Sequence, residues 1–375
     1  MFNKSFGKNG ICCESPDSEN CTSGSGHGGD VYRNEVRIDF SVNLNPLGVP
    51  AEILEAAHQG LREVTQYPDP YHTELRQAIA EFEKTDPDNI VCGSGASELI
   101  MASVHAIRPR EALITAPCYS GYETALRASD TAIHYFELDE NAGFRLDEGI
   151  LNCITEKTDM VFLTNPNNPN GRLIDPELLD LIKERCTECG VSLVLDECFL
   201  PLTGADCRIP DDNVLHLRAF TKTFAVPGIR LGYIISNDIS MLDRIRLHLP
   251  EWNVSRIAEK AGAAASRILT HSGYLQSAVE MTQTERAYME QGLTSLGFRV
   301  YPSDVNYLLF RADPELQERF RESGTDLYDE LLKTGIMIRR CANFHGLDES
   351  FYRIAVRKHE DNAELISALR RIVID

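Results

Sequence analysis

Short apolar runs alternate with amphipathic segments between about residues 90 and 235. The runs 191–197 and 214–220 are mostly apolar, which is typical of strands buried on both faces of a parallel sheet. The segments between such runs carry apolar residues at helical spacing. This alternation predicts an α/β domain with a doubly wound, mostly parallel sheet.

The pattern changes beyond the predicted sheet. Segment 256–297 keeps a helical periodicity and contains no proline, so it predicts a connecting helix into a second domain. The remainder predicts short strands, at 305–312, 336–340 and 352–357, with helices between them, and therefore a smaller α+β domain. A chain of 375 residues is long enough for two such domains.

Lys222 is the most informative polar residue in this pattern. It follows the predicted strand 214–220 inside an apolar run, and a lysine removed from water has a lowered pKa and becomes a nucleophilic amine. Thr221 before it and Arg230 after it are suited to hold a phosphate ester. An amine that can form a Schiff base with an aldehyde, beside groups that bind phosphate, predicts pyridoxal 5'-phosphate (PLP) as the cofactor.

Asp196 ends the apolar run 191–197. Carboxylates at the C-terminal ends of parallel strands face the ligand crevice of such sheets. In that place Asp196 can keep the pyridine nitrogen of PLP protonated, which makes the ring an electron sink. The alternative is a helix cap or a structural acid at a strand end. The presence of Lys222 downstream favours the cofactor contact.

Segment 90–100 predicts a strand, a glycine turn and a helix. The first amides of a helix offer free donors and a positive potential to an anion. The donors predicted for the cofactor phosphate are Gly95, Ala96 and Ser97. The glycine spacing alone is weak, because a third glycine that would complete a dinucleotide-binding motif is absent from the sequence.

Two side chains are candidates for contacts with the cofactor ring. Asn168 lies in 164–171, which has the composition of a turn and follows an apolar strand, and its amide can donate to the ring hydroxyl oxygen. A plain turn is the alternative. Tyr119 is the candidate for stacking on the ring, and a buried core tyrosine is the alternative.

The order of these motifs resembles that of fold-type-I PLP enzymes, the aspartate aminotransferase superfamily. The glycine turn, TNPNNPNG, DE and FTKTFAVPGIRLGY carry the resemblance. Within the superfamily the chain is similar to the histidinol-phosphate aminotransferase branch and, more narrowly, to the threonine-phosphate decarboxylase family. The narrower resemblance rests on 27–48, 249–258 and 338–357. It implies the fold-type-I transferase architecture, with a large PLP-binding domain and a smaller α+β domain.

The resemblance also implies an organisation of the chain. The implied parts of the chain are a flexible tail (1–26), an arm joining the small domain (27–45), a large domain (46–265) and a small domain (266–375). Tyr67 resembles the tyrosine that reaches the cofactor phosphate of the neighbouring subunit, which implies a homodimer.

The resemblance assigns roles by position. Lys222 becomes the Schiff-base lysine, and it forms the catalytic pair with Asp196. The implied cofactor contacts are Gly95, Ala96, Ser97, Tyr119, Asn168, Asp196, Thr221, Lys222, Arg230 and, across the interface, Tyr67. The implied substrate contacts are His27, Asn43, Arg339 and Arg353.

Three positions depart from the usual pattern of the superfamily. Asn170 replaces a threonine, and Ala219 replaces a serine or threonine that would add a hydroxyl to the phosphate site. We therefore expect cofactor affinity to depend more on Arg230. Phe199 stands where many aminotransferases carry a tyrosine. The decarboxylase family also tends to have phenylalanine at this position, so this departure favours decarboxylation slightly.

The preferred reaction is decarboxylation of a phosphorylated hydroxyamino acid, linked by resemblance to cobalamin biosynthesis. L-threonine phosphate and L-serine phosphate stay open as substrates, since one methyl contact distinguishes them. The alternatives are an aminotransferase of the histidinol-phosphate type and a PLP-binding protein without turnover. An opening segment that includes His27 favours the decarboxylase, and a flexible tail residue is the other interpretation of that histidine.

The formal net charge of −20 argues against nucleic acid and anionic membranes as partners. We expect a local arginine cluster, rather than the overall field, to capture the anionic substrate. The sequence shows no apolar run of membrane-spanning length and no signal-peptide core, which predicts a cytoplasmic protein. The 11 cysteines are scattered, and the pair Cys186 and Cys189 has no partner pair at metal spacing, so no metal site is predicted.

Overall fold

The computed structural model describes residues 12–14, 29–205 and 213–374. His27 and most of the predicted tail therefore lie outside the described residues. The helices are α1 (Ala51–Arg62), α2 (Thr73–Glu83), α3 (Ala96–Ile107), α4 (Ser120–Arg127), α5 (Pro176–Cys189), α6 (Phe220–Thr223), α7 (Ile239–Arg246), α8 (Arg256–His271), α9 (Tyr274–Ser295), α10 (Pro314–Ser323), α11 (Leu327–Leu332) and α12 (His359–Ile374). The strands are β1 (Cys12–Glu14), β2 (Ile38–Asp39), β3 (Ile90–Gly93), β4 (Glu111–Ala116), β5 (Ala132–Glu137), β6 (Met160–Thr164), β7 (Ser192–Asp196), β8 (Val214–Ala219), β9 (Gly232–Ile235), β10 (Arg299–Val300), β11 (Tyr307–Arg311), β12 (Ile336–Met337), β13 (Arg339–Arg340) and β14 (Phe351–Ala355).

The large sheet has the strand order β1-β5-β4-β6-β7-β8-β9-β3. Strands β5, β4, β6, β7 and β8 are parallel to one another, whereas β1 is antiparallel to β5, and β9 is antiparallel to both β8 and β3. The predicted α/β domain with a mostly parallel sheet is confirmed. Because β9 reverses direction between β8 and β3, these two strands run the same way and end at the same edge of the sheet.

The apolar runs of the sequence correspond to strands covered on both faces. In β7, Val194 packs into the core on one face, whereas Leu193 and Leu195 pack into the core on the other. Successive strand residues point to opposite faces, so a strand between two helical layers must be apolar at every position. This arrangement forces the polar residues of the strand to its end, where Asp196 lies.

The smaller unit is built on the antiparallel sheet β10-β11-β14-β13. Its core includes residues of α9, α10, α11 and α12 that pack on this sheet. The N-terminal segment joins it through β2, which pairs in parallel with β12, Ile38 opposite Ile336. The sheet carries Arg339 and Arg353 opposite each other on adjacent strands.

The predicted connecting helix over 256–297 is divided in the structure. Helix α8 ends at His271 and α9 begins at Tyr274, with Ser272 and Gly273 between them. The Ser272 hydroxyl donates to the carbonyl of Ile268, and a Gly–Ser pair is a common point of helix interruption. Within the described residues, no helix is both long and apolar enough to cross a membrane.

Candidate active site

The C-terminal ends of the central strands open into a cleft with a volume of about 270 Å³. Strands β6, β7 and β8 contribute Thr164, Asp196 and Ala219 to its walls. The small sheet contributes Arg339 and Arg353. The sequence-predicted residues that line this cleft are Asn43, Ala96, Ser97, Tyr119, Asn168, Asp196, Thr221, Lys222, Arg230, Arg339 and Arg353.

Lys222 lies on the short helix α6, directly after strand β8. Burial lowers the pKa of its ammonium to about 8, and repulsion from Arg353 and Arg230 acts in the same direction. The Nζ atom lies 5.7 Å from the centre of the Phe199 ring. A substantial share of the amine is therefore neutral near physiological pH, as a nucleophile or a proton acceptor requires.

Asp196 is buried at the end of β7 and is held by two hydrogen bonds. The hydroxyl of Tyr122 lies 2.7 Å from Oδ2, and the amide of Cys198 donates to Oδ1 at 2.9 Å. Burial raises the pKa of Asp196, and the hydrogen bonds from Cys198 and Tyr122 oppose that rise. The same hydroxyl is 2.9 Å from the Thr164 hydroxyl. The carboxyl group is thus fixed in orientation.

The turn between β3 and α3 places helix amides at the cleft. Gly95 precedes α3 with a φ of 92°, in the left-handed region that favours glycine, and it has no side chain with which to cap the helix. A Cβ atom added there would lie 2.7 Å from Nη2 of Arg230, so the guanidinium packs directly on the turn. Ala96, Ser97 and Arg230 line the cleft together, and helix amides beside a guanidinium group are suited to hold an anion.

Asn168 and Arg353 are joined by a hydrogen bond from Nη1 of the arginine to Oδ1 of the amide. Because Oδ1 is used in this way, the amide NH₂ of Asn168 is the group available to the cleft. The second guanidinium nitrogen, Nη2, donates to the carbonyl of Ser41 at 2.9 Å. Arg353 is buried, and its Nε has no partner within the described part of the chain.

A second anion site lies on the side of the small sheet. Arg339 donates to Oδ1 of Asn343 at 2.7 Å and lies over the ring of Phe344. Burial and the nearby Arg353 lower the pKa of Arg339 to about 10. The side-chain oxygen of Asn43 is buried and lacks a partner among the residues described. The two guanidinium groups converge where an anion would relieve their repulsion, whereas the unpartnered oxygen of Asn43 is an acceptor and would face a donor group.

Comparison with known proteins decides the family. A family model described as aminotransferase class I and II matches residues 35–369. The chain belongs to the aminotransferase class I and II family. Enzymes of this family depend on PLP, so the cofactor predicted from the sequence is confirmed.

Three relatives illustrate where the chain lies within this aminotransferase family. The threonine-phosphate decarboxylase of Salmonella typhimurium is 34% identical over 93% of this chain and 97% of its own length. An adenosylcobalamin biosynthesis bifunctional protein of Leptospira interrogans is 31% identical over 89% of this chain and 38% of that protein. The crystal structure of the histidinol-phosphate aminotransferase from Clostridium acetobutylicum has a TM-score of 0.81 and 32% identity, covering 90% of this chain and 99% of that one.

The residues in the cleft fit the cofactor of the aminotransferase family. Arg230 packs on the glycine turn beside the first amides of α3, and Thr221 lines the same cleft, so these donors are suited to a phosphate. The buried carboxyl of Asp196 is suited to pair with a protonated ring nitrogen, and the free amide of Asn168 with the ring hydroxyl. Tyr119 lines the cleft and lies 5.5 Å from Tyr122, ring centre to ring centre, in an edge-on contact.

Three predicted contacts are not among the residues that line this cleft: Gly95, which packs against Arg230 just before α3, Tyr67 and His27. Tyr67 is 79% exposed and stacks on Trp252, with ring centres 4.7 Å apart. Its predicted role belongs to a neighbouring subunit and stays a prediction. His27 lies outside the described residues.

The departures from the family pattern have distinct places. Asn170 is fully buried and donates to the carbonyl of Phe144 at 2.8 Å, outside the cleft. The asparagine at position 170 therefore contributes to the packing around the turn and not to the lining of the cleft. Ala219 lines the cleft with a methyl group in place of a hydroxyl, and Phe199 packs edge-on against Tyr307, with ring centres 5.0 Å apart.

Sequence reasoning missed several residues that support the site. Tyr122 donates to Asp196, and its hydroxyl also bonds to Thr164. Ser41 holds Arg353, and Phe344 lines the cleft beside Arg339. Tyr122 lies three residues after Tyr119, one helical turn on, and that spacing was a usable signal. For Ser41 the contact joins segments 312 residues apart, which no local pattern indicates.

Proposed function

We propose that the protein is a PLP-dependent decarboxylase of a phosphorylated hydroxyamino acid, with L-threonine O-3-phosphate as the preferred substrate and L-serine phosphate as the close alternative. The observation that carries the proposal is the pair of buried arginines, Arg339 and Arg353, at the end of the cleft away from the cofactor-phosphate turn. A phosphate group can be held by both cations at once, so this pair matches a phosphorylated substrate better than a simple amino acid.

The chain's own residues suit this reaction. When bound, PLP supplies an electron sink that stabilises negative charge on the α-carbon of an amino acid. Asp196 maintains that sink through the ring nitrogen, and Asn168 holds the ring hydroxyl. Lys222, with a pKa of about 8, exchanges a proton with the α-carbon.

The arginines decide between decarboxylation and transamination through the substrate group that they bind. If Arg353 holds the carboxylate, the carbon–hydrogen bond is presented to Lys222, and loss of that proton leads to transamination. If Arg339 and Arg353 take the phosphate, the carboxylate is free to leave as CO₂. The electron pair of the broken bond then stays on the α-carbon, which takes a proton from the Lys222 ammonium or from water.

An aminotransferase of the histidinol-phosphate type is the second candidate. It is supported by the similarity to the Clostridium acetobutylicum structure, and its substrate would also bring a phosphate to the two arginines. The Salmonella typhimurium relative, named a threonine-phosphate decarboxylase, supports the first candidate over almost the full chain. A place in cobalamin biosynthesis is part of the first proposal, supported by the name of the Leptospira interrogans relative.

The test is a product assay on PLP-loaded protein with L-threonine phosphate and no keto acid. We expect release of CO₂ in equimolar amount with an aminopropanol phosphate. If CO₂ is absent and amino transfer from histidinol phosphate requires 2-oxoglutarate, the chain is an aminotransferase and the first proposal fails. L-serine phosphate in the same assay measures how much the β-methyl group contributes.

We also propose that the protein acts as a homodimer with Tyr67 directed to the partner's cofactor phosphate. The support is the exposure of Tyr67 and Trp252 side by side on the surface. Sedimentation should give a dimer, and Tyr67→Phe should weaken PLP binding. Mixed dimers of Tyr67→Phe and Lys222→Ala subunits distinguish contact across the interface from contact within a chain. A contact across the interface leaves each hybrid with one intact site and one doubly defective site, whereas a contact within the chain leaves one defective site of each kind and no intact site.

A further inference from the structure

The turn that leads into α3 is held by a carboxylate outside the cleft. The amide of Ser94 donates to Oε2 of Glu98 at 2.6 Å, and the amide of Gly95 donates to the carbonyl of Gly93 at 2.8 Å. Amide groups bind an anion well only when they stay aligned, so whatever fixes Glu98 also fixes the anion site of Ala96 and its neighbours.

Asn253 fixes Glu98. Its side-chain Nδ2 donates to Oε2 of Glu98 at 2.8 Å and to the carbonyl of Cys92 at 3.2 Å. Asn253 lies between α7 and α8, so these bonds attach a distant segment to the end of β3 and to the turn. Since Nδ2 is committed to two acceptors, the oxygen Oδ1 of Asn253 must face the other way.

The oxygen of Asn253 meets His72. The Nε2 atom of His72 is 3.1 Å from Oδ1 of Asn253, and its Nδ1 atom is 2.8 Å from Oε1 of Glu259. Both partners are acceptors, so the ring is held between the amide oxygen of Asn253 and the carboxylate of Glu259. His72 is 7% exposed and Glu259 is 4% exposed. A buried pair of this kind is held in one geometry, because breaking it would leave an uncompensated charge.

The second carboxylate oxygen of Glu259 is also occupied. Arg256 donates to it at 3.3 Å and donates through Nε to Glu63 at 2.6 Å. A continuous chain of hydrogen bonds therefore runs from Glu63 through His72 and Asn253 to the turn at Ser94. None of these residues lines the cleft, and Asn253 reaches the turn both through Glu98 and through the carbonyl of Cys92.

We propose that Asn253, oriented by the His72–Glu259 pair, is a positioning residue for the cofactor phosphate. It acts on the turn Gly93–Gly95 through Glu98 and sets how well the first amides of α3 bind that phosphate. The inference rests on the phosphate site proposed above, and it holds for a decarboxylase and an aminotransferase alike.

The experiment compares PLP with pyridoxal, which lacks the phosphate. Apoprotein of wild type and of Asn253→Ala is titrated with each ligand, followed by absorbance of the bound cofactor. We expect Asn253→Ala to bind PLP roughly ten- to a hundredfold more weakly, the range found when outer-shell partners of metal ligands are removed. Pyridoxal affinity should change by no more than about twofold, since its contacts do not involve the turn.

A double-mutant cycle tests the route through Glu98. If Asn253 acts through that carboxylate, Glu98→Ala and Asn253→Ala together should weaken PLP binding little more than either change alone. Asn253→Asp keeps the shape of the side chain but places an acceptor against Glu98. It should therefore lose the same preference for PLP over pyridoxal. This variant replaces Asn253→Ala if the alanine variant does not fold. Asn141→Ala, at an exposed position, is the control.

Two outcomes overturn the inference. An equal loss of affinity for PLP and pyridoxal would show a general structural role, and unchanged PLP binding would show no role. Arg230→Gln separates this failure from failure of the phosphate site itself. If Arg230→Gln reduces the preference for PLP over pyridoxal while Asn253→Ala does not, only the positioning inference fails. If Arg230→Gln leaves that preference intact, the proposed phosphate site is wrong.

Discussion

The hydroxyl of Tyr122 donates to Oδ2 of Asp196 over 2.7 Å. The ring of Tyr122 stacks on Phe162, with ring centres 4.8 Å apart. Tyr122 is itself buried, and the neighbouring Thr164 hydroxyl completes its hydrogen bonding. A carboxylate that must stay charged beside a cofactor ring is thus given one side-chain donor on a rigid support, in addition to the amide of Cys198. The packing of Tyr122 in the core therefore influences the pKa of Asp196 in the cleft.

Tyr122→Phe should lower kcat by roughly tenfold with little change in substrate KM. Removing a hydrogen bond to a charged group costs about 1.5–3 kcal/mol, and its loss raises the pKa of Asp196 further, so the carboxylate supports a protonated ring nitrogen less well. Steady-state kinetics on the PLP-loaded variant measure the effect, with Tyr288→Phe in the small domain as the control. A loss of PLP affinity with unchanged kcat would show that Tyr122 only packs the site.

Lys222→Met should stabilise the apoprotein at pH 7. Burial lowers the pKa of Lys222 in the folded protein to about 8, below its ordinary value of 10.5, so the unfolded chain holds more protons between these values. The charged lysine then costs about 3 kcal/mol of stability at pH 7, at about 1.4 kcal/mol per pKa unit. Stability of the wild type rises with pH across that window, so the advantage of the variant shrinks from pH 8 upward.

Urea unfolding of both apoproteins at pH 7 and pH 9 measures this difference, and Lys157→Met at an exposed position is the control. The same Lys222→Met variant should lose the visible absorbance of lysine-bound cofactor and all turnover. Retention of that absorbance would remove Lys222 from its proposed role.

Arg339→Gln should raise the KM for L-threonine phosphate by roughly ten- to a hundredfold, because a hydrogen bond between charged groups contributes about 1.5–3 kcal/mol. PLP affinity should stay within about twofold. The adjacent Arg340 is a matched control, because it pairs with Asp326 and stacks on Tyr328 instead. Equal effects of Arg339→Gln and Arg340→Gln would argue against a substrate contact.

Glu197→Gln should destabilise the protein by about 3 kcal/mol at pH 7, since it removes one carboxylate from a buried network and leaves Arg218 with Glu83. Burial opposes ionisation of Glu197, but Arg218 and His216 outweigh it and lower its pKa to about 2. Because this pKa is depressed, its contribution is complete above about pH 4.5 and is lost as the pH falls toward 2.

Unfolding in urea at pH 7 and pH 3.5 should therefore show a larger gap between wild type and Glu197→Gln at the higher pH. Glu188→Gln, on an exposed side chain, should show no gap at either pH. A gap that is independent of pH would mean that Glu197 contributes by packing rather than by charge.

Much of the fold follows from local pattern. The runs at β7 and β8 predict buried parallel strands because residues on both faces of such strands meet apolar helices. Their polar ends predict where a ligand lies, since parallel strands end at one edge. The single predicted helix over 256–297 was wrong in detail, because helical periodicity continues across Ser272 and Gly273 while the backbone does not.

The sequence by itself determined the α/β fold, the family and its dependence on PLP, and it predicted roles for Lys222 and Asp196, because these depend on residue type and on spacing along one strand or turn. Tertiary structure alone decided which distant groups act on them. The pKa of Lys222 depends on Arg353, which is 131 positions away, and the orientation of Asn168 depends on the same arginine. Burial and charge–charge interactions depend on distance in space, and distance in space is set only when the two sheets pack together.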